Sequence, residues 1–223
     1  ELARTSFDGC LLLEHKENYI KFGEPDRTYS TQPCTSNSEK GTFFAVDGGY
    51  IVQFDEFTVG LDLKIQIEIK PRVTSGTLLS VQSDRGDFLS MEMLDGNLVF
   101  SADNGEGIFS TTYEPNTNQG RKYLCDGEWH SIVALKAKNV VTLNVDGKEI
   151  MPVGIGRGTT INTDTKNELY IGGLPDGVTH KGITTTEQFV GCIKNLVIGS
   201  NIVNFNEAFR VAGAVQVNSC PTT

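Results

Sequence analysis

The cysteines carry the most informative chemistry in this sequence, because a short signature that contains them occurs twice. One copy reads Phe-Asp-Gly-Cys and ends at Cys10, with a second cysteine at Cys34. The other reads Phe-Val-Gly-Cys and ends at Cys192, with a second cysteine at Cys220. Cysteines repeated in this way are typical of structural disulfides in an oxidising compartment. We therefore predict a Cys192–Cys220 disulfide, a Cys10–Cys34 disulfide by analogy with the repeat, and a secreted protein.

The repeated signature also divides the chain. Its first copy has no β-rich module in front of it, which predicts that residues 1–40 are the tail of a preceding module followed by a polar linker. The second copy closes the stretch 41–223, which is long enough for one domain with a sizeable core. Tandem arrays of small β modules are usually extracellular binding proteins, so a binding function is the first expectation.

The fifth cysteine, Cys125, remains without a partner in this scheme. Its place just ahead of a predicted strand favours a buried thiol that acts as a small hydrophobe. A catalytic thiol would need a histidine partner, and none of His15, His130 and His180 suggests one; His130 itself reads as a structural residue. The sequence also lacks Gly-x-Ser-x-Gly, Cys-x-x-Cys and His-Glu-x-x-His motifs. We predict that this protein is not an enzyme.

The charge of the chain limits the partners it can have. The net charge is −9, and the 19 lysines and arginines do not gather into long runs. This balance argues against nucleic acid or an anionic membrane as the main partner, and it disfavours a heparin site while leaving a local basic patch open. No segment approaches the roughly 18 uninterrupted apolar residues of a membrane-spanning helix.

The hydrophobic pattern indicates strands almost throughout. Residues 61–70 alternate strictly between apolar and polar types, as in a strand with one buried and one wet face. Asp95-Gly96 and Asp146-Gly147 are strong hairpin turn signals. Further strands are predicted at Tyr50–Phe54, Thr77–Gln82, Met91–Leu94, Leu98–Phe100, Ser131–Leu135, Val141–Val145, Leu169–Ile171 and Cys192–Ile198. With no convincing helical period, the pattern predicts an all-β, antiparallel two-sheet sandwich.

Five motifs occur in an order and at a spacing that resemble a known family. They are Gly76–Leu79, Leu124–His130, Leu143–Gly147, Leu169–Pro175 and Phe189–Leu196. Together they make residues 41–220 similar to a laminin G-like module, and the closing residues most resemble the C-terminal modules of laminin α chains. The resemblance implies a jelly-roll sandwich of about fourteen strands, related to concanavalin-like lectin folds. It also implies an adhesion role in the extracellular matrix of basement membranes.

The same resemblance implies a calcium site at the rim of the sandwich. Asp87 and Asp164 match the two aspartates that hold the ion in calcium-binding members, with main-chain carbonyls expected from Asn104 and Asn162. Such oxygen ligands suit Ca²⁺, and extracellular sites with few charges bind it at about 10⁻⁴–10⁻³ M. Asp84 is a candidate helper ligand. Without the resemblance, these residues would be read as ordinary solvated loop residues.

The function that the resemblance implies is recognition of a cell-surface receptor through an anionic glycan of the α-dystroglycan type. Calcium would bridge to the glycan, and the nearby cations Arg85, Arg157 and Lys166 would add positive charge. Heparin or integrin binding is an alternative, although an Asp87 carboxylate that holds calcium could not serve an Arg85-Gly86-Asp87 integrin motif. A structural module that packs against neighbouring laminin G-like modules without its own ligand is a further alternative, as is a protein-binding module of the neurexin type.

Overall fold

The computed structural model describes residues 14–15, 18–19 and 38–222. It contains eighteen strands and two short 3₁₀ turns, which are Thr117–Gln119 and Phe205–Glu207. The strands are β1 (Glu14–His15), β2 (Asn18–Tyr19), β3 (Ser38–Glu39), β4 (Thr42–Phe54), β5 (Asp62–Pro71), β6 (Gly76–Gln82), β7 (Phe88–Leu94), β8 (Asn97–Asp103), β9 (Ile108–Tyr113), β10 (His130–Ala137), β11 (Val140–Val145), β12 (Lys148–Glu149), β13 (Gly154–Ile155), β14 (Leu169–Ile171), β15 (Gly191–Ile198), β16 (Asn201–Ile202), β17 (Arg210–Gln216) and β18 (Cys220–Pro221). Within these residues, no helix has the length and apolar character needed to cross a membrane. The predicted Cys10–Cys34 disulfide lies outside the described residues.

Fourteen strands form one antiparallel sheet that folds over a single core. Their order is β12-β11-β10-β5-β15-β4-β14-β6-β7-β8-β9, with β13 beside β11, β16 beside β15 and β17 beside β4. The long strand β4 joins the two halves, because its first residues pair with β15 and its last residues pair with β14. The two halves share one hydrophobic core, and β11 of one half contacts β8 and β9 of the other. This arrangement confirms the predicted antiparallel sandwich.

The alternation in β5 shows how sequence builds the core. Leu63, Ile65, Ile67 and Ile69 are buried against the opposite half of the sandwich, while the residues between them face outward. Each such burial contributes about 1.5–3 kcal/mol relative to an exposed side chain. Leu61 departs from the predicted alternation: it lies before the strand and its side chain is 46% exposed.

Two hairpin turns confirm the signals read from the sequence. In both Asp95-Gly96 and Asp146-Gly147 the backbone has positive φ at the two central residues. This geometry belongs to type I′ turns, whose twist matches that of the flanking strands. His130, at the start of β10, is buried and hydrogen-bonded through both ring nitrogens, to Asp126 and Asp146. These two contacts agree with the structural role predicted for this histidine.

Strands β9 and β17 were not among the predicted strands. Polar Ser110 and Thr112 separate the buried residues of β9, and threonine dilutes the hydrophobic signal on its inward face. In β17 the residues Val211–Val215 are small, and the strand exists through its pairing with β4. There Gly49 allows the close approach, since a Cβ on it would come within 2.6 Å of Val215.

The cysteines of the folded domain give one agreement and one correction. Cys192 and Cys220 form a disulfide, with their Cα atoms 5.8 Å apart, and both are buried beside Phe43. Cys125 was predicted to be buried, and this prediction is wrong because the residue is exposed. Its neighbour Leu124 fills the interior position instead, at 1% exposure, so the irregular loop turns Cys125 towards solvent.

Candidate metal site at the rim of the sandwich

Three loops meet at one end of the sandwich, which we call the rim. They are residues 83–87 between β6 and β7, residues 103–107 between β8 and β9, and residues 160–165 ahead of β14. Gly60 joins the third loop through two backbone hydrogen bonds with Thr163, each 3.1 Å long. The hairpin turns described above lie at the opposite end of the strands, so the rim is a separate surface of the domain.

The carboxylate of Asp87 lies at the centre of this convergence. The residue is only 9% exposed, and its Oδ2 accepts a hydrogen bond of 2.9 Å from the main-chain N–H of Asp164. Its Oδ1 faces Gly105, where an added Cβ would approach within 3.2 Å. Asp87 therefore touches both of the other rim loops, and its carboxylate contacts the main chain of Asp164, the second predicted aspartate ligand.

Asp164 and the two predicted carbonyl donors complete the set of oxygens. The Asp164 side chain is exposed, and its Oδ1 accepts a hydrogen bond from the Asn162 amide. In the described part of the chain, neither Asn104 nor Asn162 has its main-chain carbonyl engaged in a hydrogen bond. No lysine or arginine of that part forms an ion pair with Asp87 or Asp164. Two carboxylates and two free carbonyls thus remain for another partner.

The Asn104 side chain ties two of the rim loops together. It is 5% exposed, and its Oδ1 accepts a hydrogen bond of 2.6 Å from Thr163 Oγ1. Its amide donates to the carbonyl of Thr160 at 2.9 Å and to that of Lys138 at 3.4 Å. These contacts hold loop 103–107 against loop 160–165, which leaves the main chain of Asn104 in a defined place.

The donor set fits a hard cation such as Ca²⁺. All four groups are oxygens, and calcium favours carboxylate and carbonyl ligands in flexible geometry with water in the remaining positions. Within the described residues there is no group of three or more His, Cys, Asp or Glu side chains that could hold a metal ion. A cation at this rim would therefore depend on main-chain carbonyls as well as on Asp87 and Asp164.

A buried lysine lies beneath the rim and was missed by the sequence analysis. Lys136 is 0% exposed, and its ammonium donates to the carbonyls of Gly60 at 2.7 Å, Leu61 at 3.0 Å and Ile161 at 2.9 Å. Burial lowers the pKa of Lys136 to about 8, against the pull of three nearby carboxylates that favour its charged form. The period-two pattern of β10 could have indicated it, because Lys136 shares the inward face with Ala134.

A buried aspartate shapes the second loop. Asp103 is 0% exposed, and its Oδ1 accepts hydrogen bonds from the N–H groups of Gly105 at 2.8 Å and Gly107 at 3.0 Å. Its Oδ2 accepts from the Lys181 ammonium at 2.6 Å. Burial alone would raise the pKa of Asp103, but these hydrogen bonds outweigh it and lower the pKa. No local sequence signal marks this pairing, since Lys181 lies 78 residues further along the chain.

The predicted ligand-binding cations lie at the rim with free side chains. Arg85, Arg157 and Lys166 are exposed, and none of the three side chains forms a hydrogen bond or an ion pair within the described residues. Asp84 is also exposed, but its Oδ1 accepts a hydrogen bond of 2.9 Å from the Asn167 amide. In the Arg-Gly-Asp triplet the arginine is accessible and the carboxylate of Asp87 is not, which disfavours its recognition by an integrin.

Comparisons of sequence place these features in a family. The family model described as Laminin G domain matches residues 69–201. The chain is 36% identical over 218 residues to laminin subunit alpha-4 of Mus musculus, covering 97% of this chain and 12% of that protein. It is 34% identical over 139 residues to the basement membrane-specific heparan sulfate proteoglycan core protein of Mus musculus, covering 60% and 4%. The chain thus spans a small part of the length of these relatives.

Solved structures agree with the sequence comparisons. The mouse laminin alpha1 chain, domains LG4-5, matches with a TM-score of 0.75 and 29% identity, covering 89% of this chain and 51% of that one. A heptameric SAP-like pentraxin from Limulus polyphemus matches with a TM-score of 0.57 and 14% identity, covering 81% and 94%, a likeness of fold alone. The family model, the identity to laminin α chains and the shared sandwich all lead to one conclusion: the chain belongs to the laminin G domain family.

Proposed function

We propose that this chain binds an anionic glycan of the α-dystroglycan type on a cell-surface receptor, through a calcium ion held at the rim. The observation that carries the proposal is the contact between the Asp87 carboxylate and the main chain of Asp164. The adjoining loops add two main-chain carbonyls that accept no hydrogen bond, and neither aspartate has an ion-pair partner among the described residues. The setting is extracellular, since the homologues are secreted basement membrane proteins. Laminin G domains of matrix proteins are non-enzymatic, and the chain is a matrix module of that kind.

The chain's own residues would divide the work between cation and glycan. Asp87 and Asp164, with the carbonyls of Asn104 and Asn162, would hold Ca²⁺ and leave part of its coordination sphere open. A bound Ca²⁺ supplies positive charge and vacant coordination positions, which suit the oxygens of an anionic sugar. The exposed cations Arg85, Arg157 and Lys166 would attract the same sugar over a longer range.

The charge around the rim explains why calcium would be needed. A polar groove beside loop 160–165 is lined by residues that include Asp55, Glu56, Lys166 and Glu168. Glu106 adds another carboxylate, held by the N–H of Thr160 at 2.7 Å. Carboxylates outnumber cations here, so the protein alone would repel an anionic glycan. A cation between Asp87 and Asp164 would reverse the sign of the field where the sugar must bind.

The test is glycan binding with and without calcium. Immobilised α-dystroglycan glycan should bind the chain in millimolar calcium and release it in EDTA, and raised salt should weaken the binding. Asp87→Asn with Asp164→Asn should abolish binding, whereas the matched loss of an exposed carboxylate at the other end, Asp95→Asn, should not. Binding that survives EDTA would rule out the calcium bridge.

A structural role is the second candidate, and one observation favours it. Strand β3 pairs with β18 beside the disulfide, so the segment that enters the domain is built into it. Glu39 in β3 bonds Lys70 at 2.9 Å and the indole N–H of Trp129 at 2.8 Å. A module that orients its neighbours would need such a fixed entry. In that case calcium removal would leave receptor binding by the whole protein unchanged.

A further inference from the structure

Two lysines near the rim have the wrong charge for residues that support a cation site. Lys136 interacts electrostatically with the carboxylates of Asp87 and Asp164. Lys181 pairs with Asp103, the residue next to the proposed carbonyl donor Asn104. By charge alone, each ammonium should weaken the binding of Ca²⁺. Their hydrogen bonds indicate the opposite effect.

Lys136 fixes loop 160–165, which carries Asp164 and the main-chain carbonyl of Asn162. Its three N–H donors match three carbonyl acceptors, two in the segment Gly60–Leu61 and one at Ile161. Ile161 immediately precedes Asn162, and Gly60 is bonded to Thr163, the residue before Asp164. Only the charged ammonium form of lysine has three N–H donors. This fully buried group therefore links the segment Gly60–Leu61 to loop 160–165.

Lys181 acts on the other carbonyl donor through Asp103. The Asp103 carboxylate bends loop 103–107 by accepting from two of its own N–H groups, and the Lys181 ammonium holds its second oxygen. Asp103 is fully buried while the Lys181 side chain is 51% exposed, so the lysine seals the carboxylate from outside. The loop shaped in this way presents Gly105 to Asp87 and carries the free carbonyl of Asn104.

The two devices meet at one side chain. Asn104 joins loop 103–107 to loop 160–165 through Thr160 and Thr163. A displacement of either loop would therefore disturb this link and change the positions of the main-chain carbonyls of Asn104 and Asn162. Flexible loops lose conformational entropy when they close around an ion, and a loop already held in place loses less.

We propose that Lys136 and Lys181 are positioning residues that strengthen the calcium site by fixing its carbonyl-bearing loops, although each adds repulsive charge. The proposal rests on the proposed calcium site, since it assigns roles toward the same ion. If the lysines act by positioning, the loss of either one should weaken calcium binding. If only their charge matters, the same loss should strengthen it. Loss of an outer-shell partner of a metal site typically costs 10–100-fold in affinity.

The experiment is calorimetric titration of Ca²⁺ into the wild type, Lys136→Met and Lys181→Met. Both variants should bind Ca²⁺ at least about 10-fold more weakly than the wild type. Lys138→Met removes the same charge from an exposed rim lysine whose ammonium has no hydrogen bond within residues 38–222, and it should bind equally or slightly more tightly. Lys181→Arg should restore affinity by keeping a donor to Asp103. Unchanged or tighter binding by both methionine variants would overturn the proposal.

A second readout separates this proposal from the calcium site itself. In calcium-free protein, amide hydrogen exchange at Gly105 and Gly107 should accelerate in Lys181→Met, and exchange at Thr163 should accelerate in Lys136→Met. Lys181→Met changes a half-exposed side chain and keeps the core intact, so it serves even if Lys136→Met does not fold. If amide exchange is faster in the variants but the wild type shows no calorimetric signal with Ca²⁺, the proposed function is wrong. The lysines would then still hold the loops in place as described. Calcium binding in the wild type with unchanged exchange and affinity in Lys181→Met would reject the positioning role.

Discussion

The main-chain N–H of Asp164 donates a hydrogen bond of 2.9 Å to Oδ2 of Asp87, across 77 residues of sequence. This bond places the main chain of Asp164 against the Asp87 carboxylate, and neither aspartate forms an ion pair within residues 38–222. Carboxylates on adjoining loops that have no cationic partner are available as oxygen ligands for a hard cation such as Ca²⁺. The relationship between these two residues is therefore the basis of the first prediction.

Replacement of both aspartates, Asp87→Asn with Asp164→Asn, should abolish calcium binding. Asparagine keeps the shape and one acceptor oxygen, so the N–H of residue 164 retains a partner while two negative charges are lost. Calorimetry should detect a wild-type site on the order of 10⁻⁴–10⁻³ M, as for extracellular modules, and no heat for the double variant. Asp95→Asn, in the hairpin at the opposite end, is the control and should titrate like the wild type. An equal calcium response in the double variant would show that the ion binds elsewhere.

Much of the fold was predictable because it depends on short-range pattern. The alternation in residues 61–70 and the turns Asp95-Gly96 and Asp146-Gly147 each reflect local steric and burial requirements, and each is found in the structure. Strand β17 was not predictable, since its small residues become a strand only by pairing with β4. Exposed Cys125 was misjudged because the sequence pattern could not tell which of two adjacent apolar residues faces inward.

The site divides along the same line. The pairing of Asp87 with Asp164 was expected only through the family resemblance, because nothing local links residues so far apart. Lys136 could have been found, since an alternating strand with a lysine on its inward face requires a buried partner for that charge. Asp103 and Lys181 could not, because their contact depends on how two distant loops fold over the sheet.

The pKa of Lys136 predicts how stability changes in alkali. The folded pKa is about 8 and the ordinary value is 10.5, so the unfolded chain binds more protons than the folded chain between these limits. Stability rises with pH wherever the unfolded state binds more protons, so the contribution of this group should rise from about pH 8 to pH 10.5. Urea unfolding across this range should show the free energy of unfolding of the wild type increasing with pH relative to that of Lys136→Met. A constant difference would mean that the folded protein does not perturb this lysine.

The buried Asp103 predicts the behaviour in acid. Its pKa lies below the ordinary value of 3.8, because hydrogen bonds from Lys181 and two glycine N–H groups outweigh the cost of burial. A carboxylate with a depressed pKa stabilises the fold above its unfolded pKa, and this contribution is lost as pH falls through the folded value. The free energy of unfolding should therefore decline below about pH 4 in the wild type, and decline less steeply in Asp103→Asn. Parallel acid profiles for the two proteins would assign the acid sensitivity to other carboxylates.

The segment that enters the domain, β3 (Ser38–Glu39), gives a prediction that tryptophan fluorescence can test. Trp129 is the sole tryptophan of the chain, and its indole N–H donates to Glu39 Oε2 at 2.8 Å. The Lys194 ammonium lies 3.8 Å from the centroid of the Trp129 ring. The Glu39 carboxylate also accepts from Lys70, and the pKa of Glu39 is lowered first by Lys70 and then by Trp129.

Glu39→Gln should loosen β3 from β18 and change the surroundings of the indole. The ion pair is only partly buried at the surface, where such pairs contribute about 0–1 kcal/mol, so the loss of overall stability should be small. The tryptophan emission should nevertheless shift to longer wavelength, because the indole exchanges a charged acceptor for water or a weaker amide acceptor. Glu68→Gln is the matched control, since it removes a carboxylate that pairs with Lys194 without bonding the indole. Identical emission in Glu39→Gln and the wild type would show that the entry segment is not held to the domain through this contact.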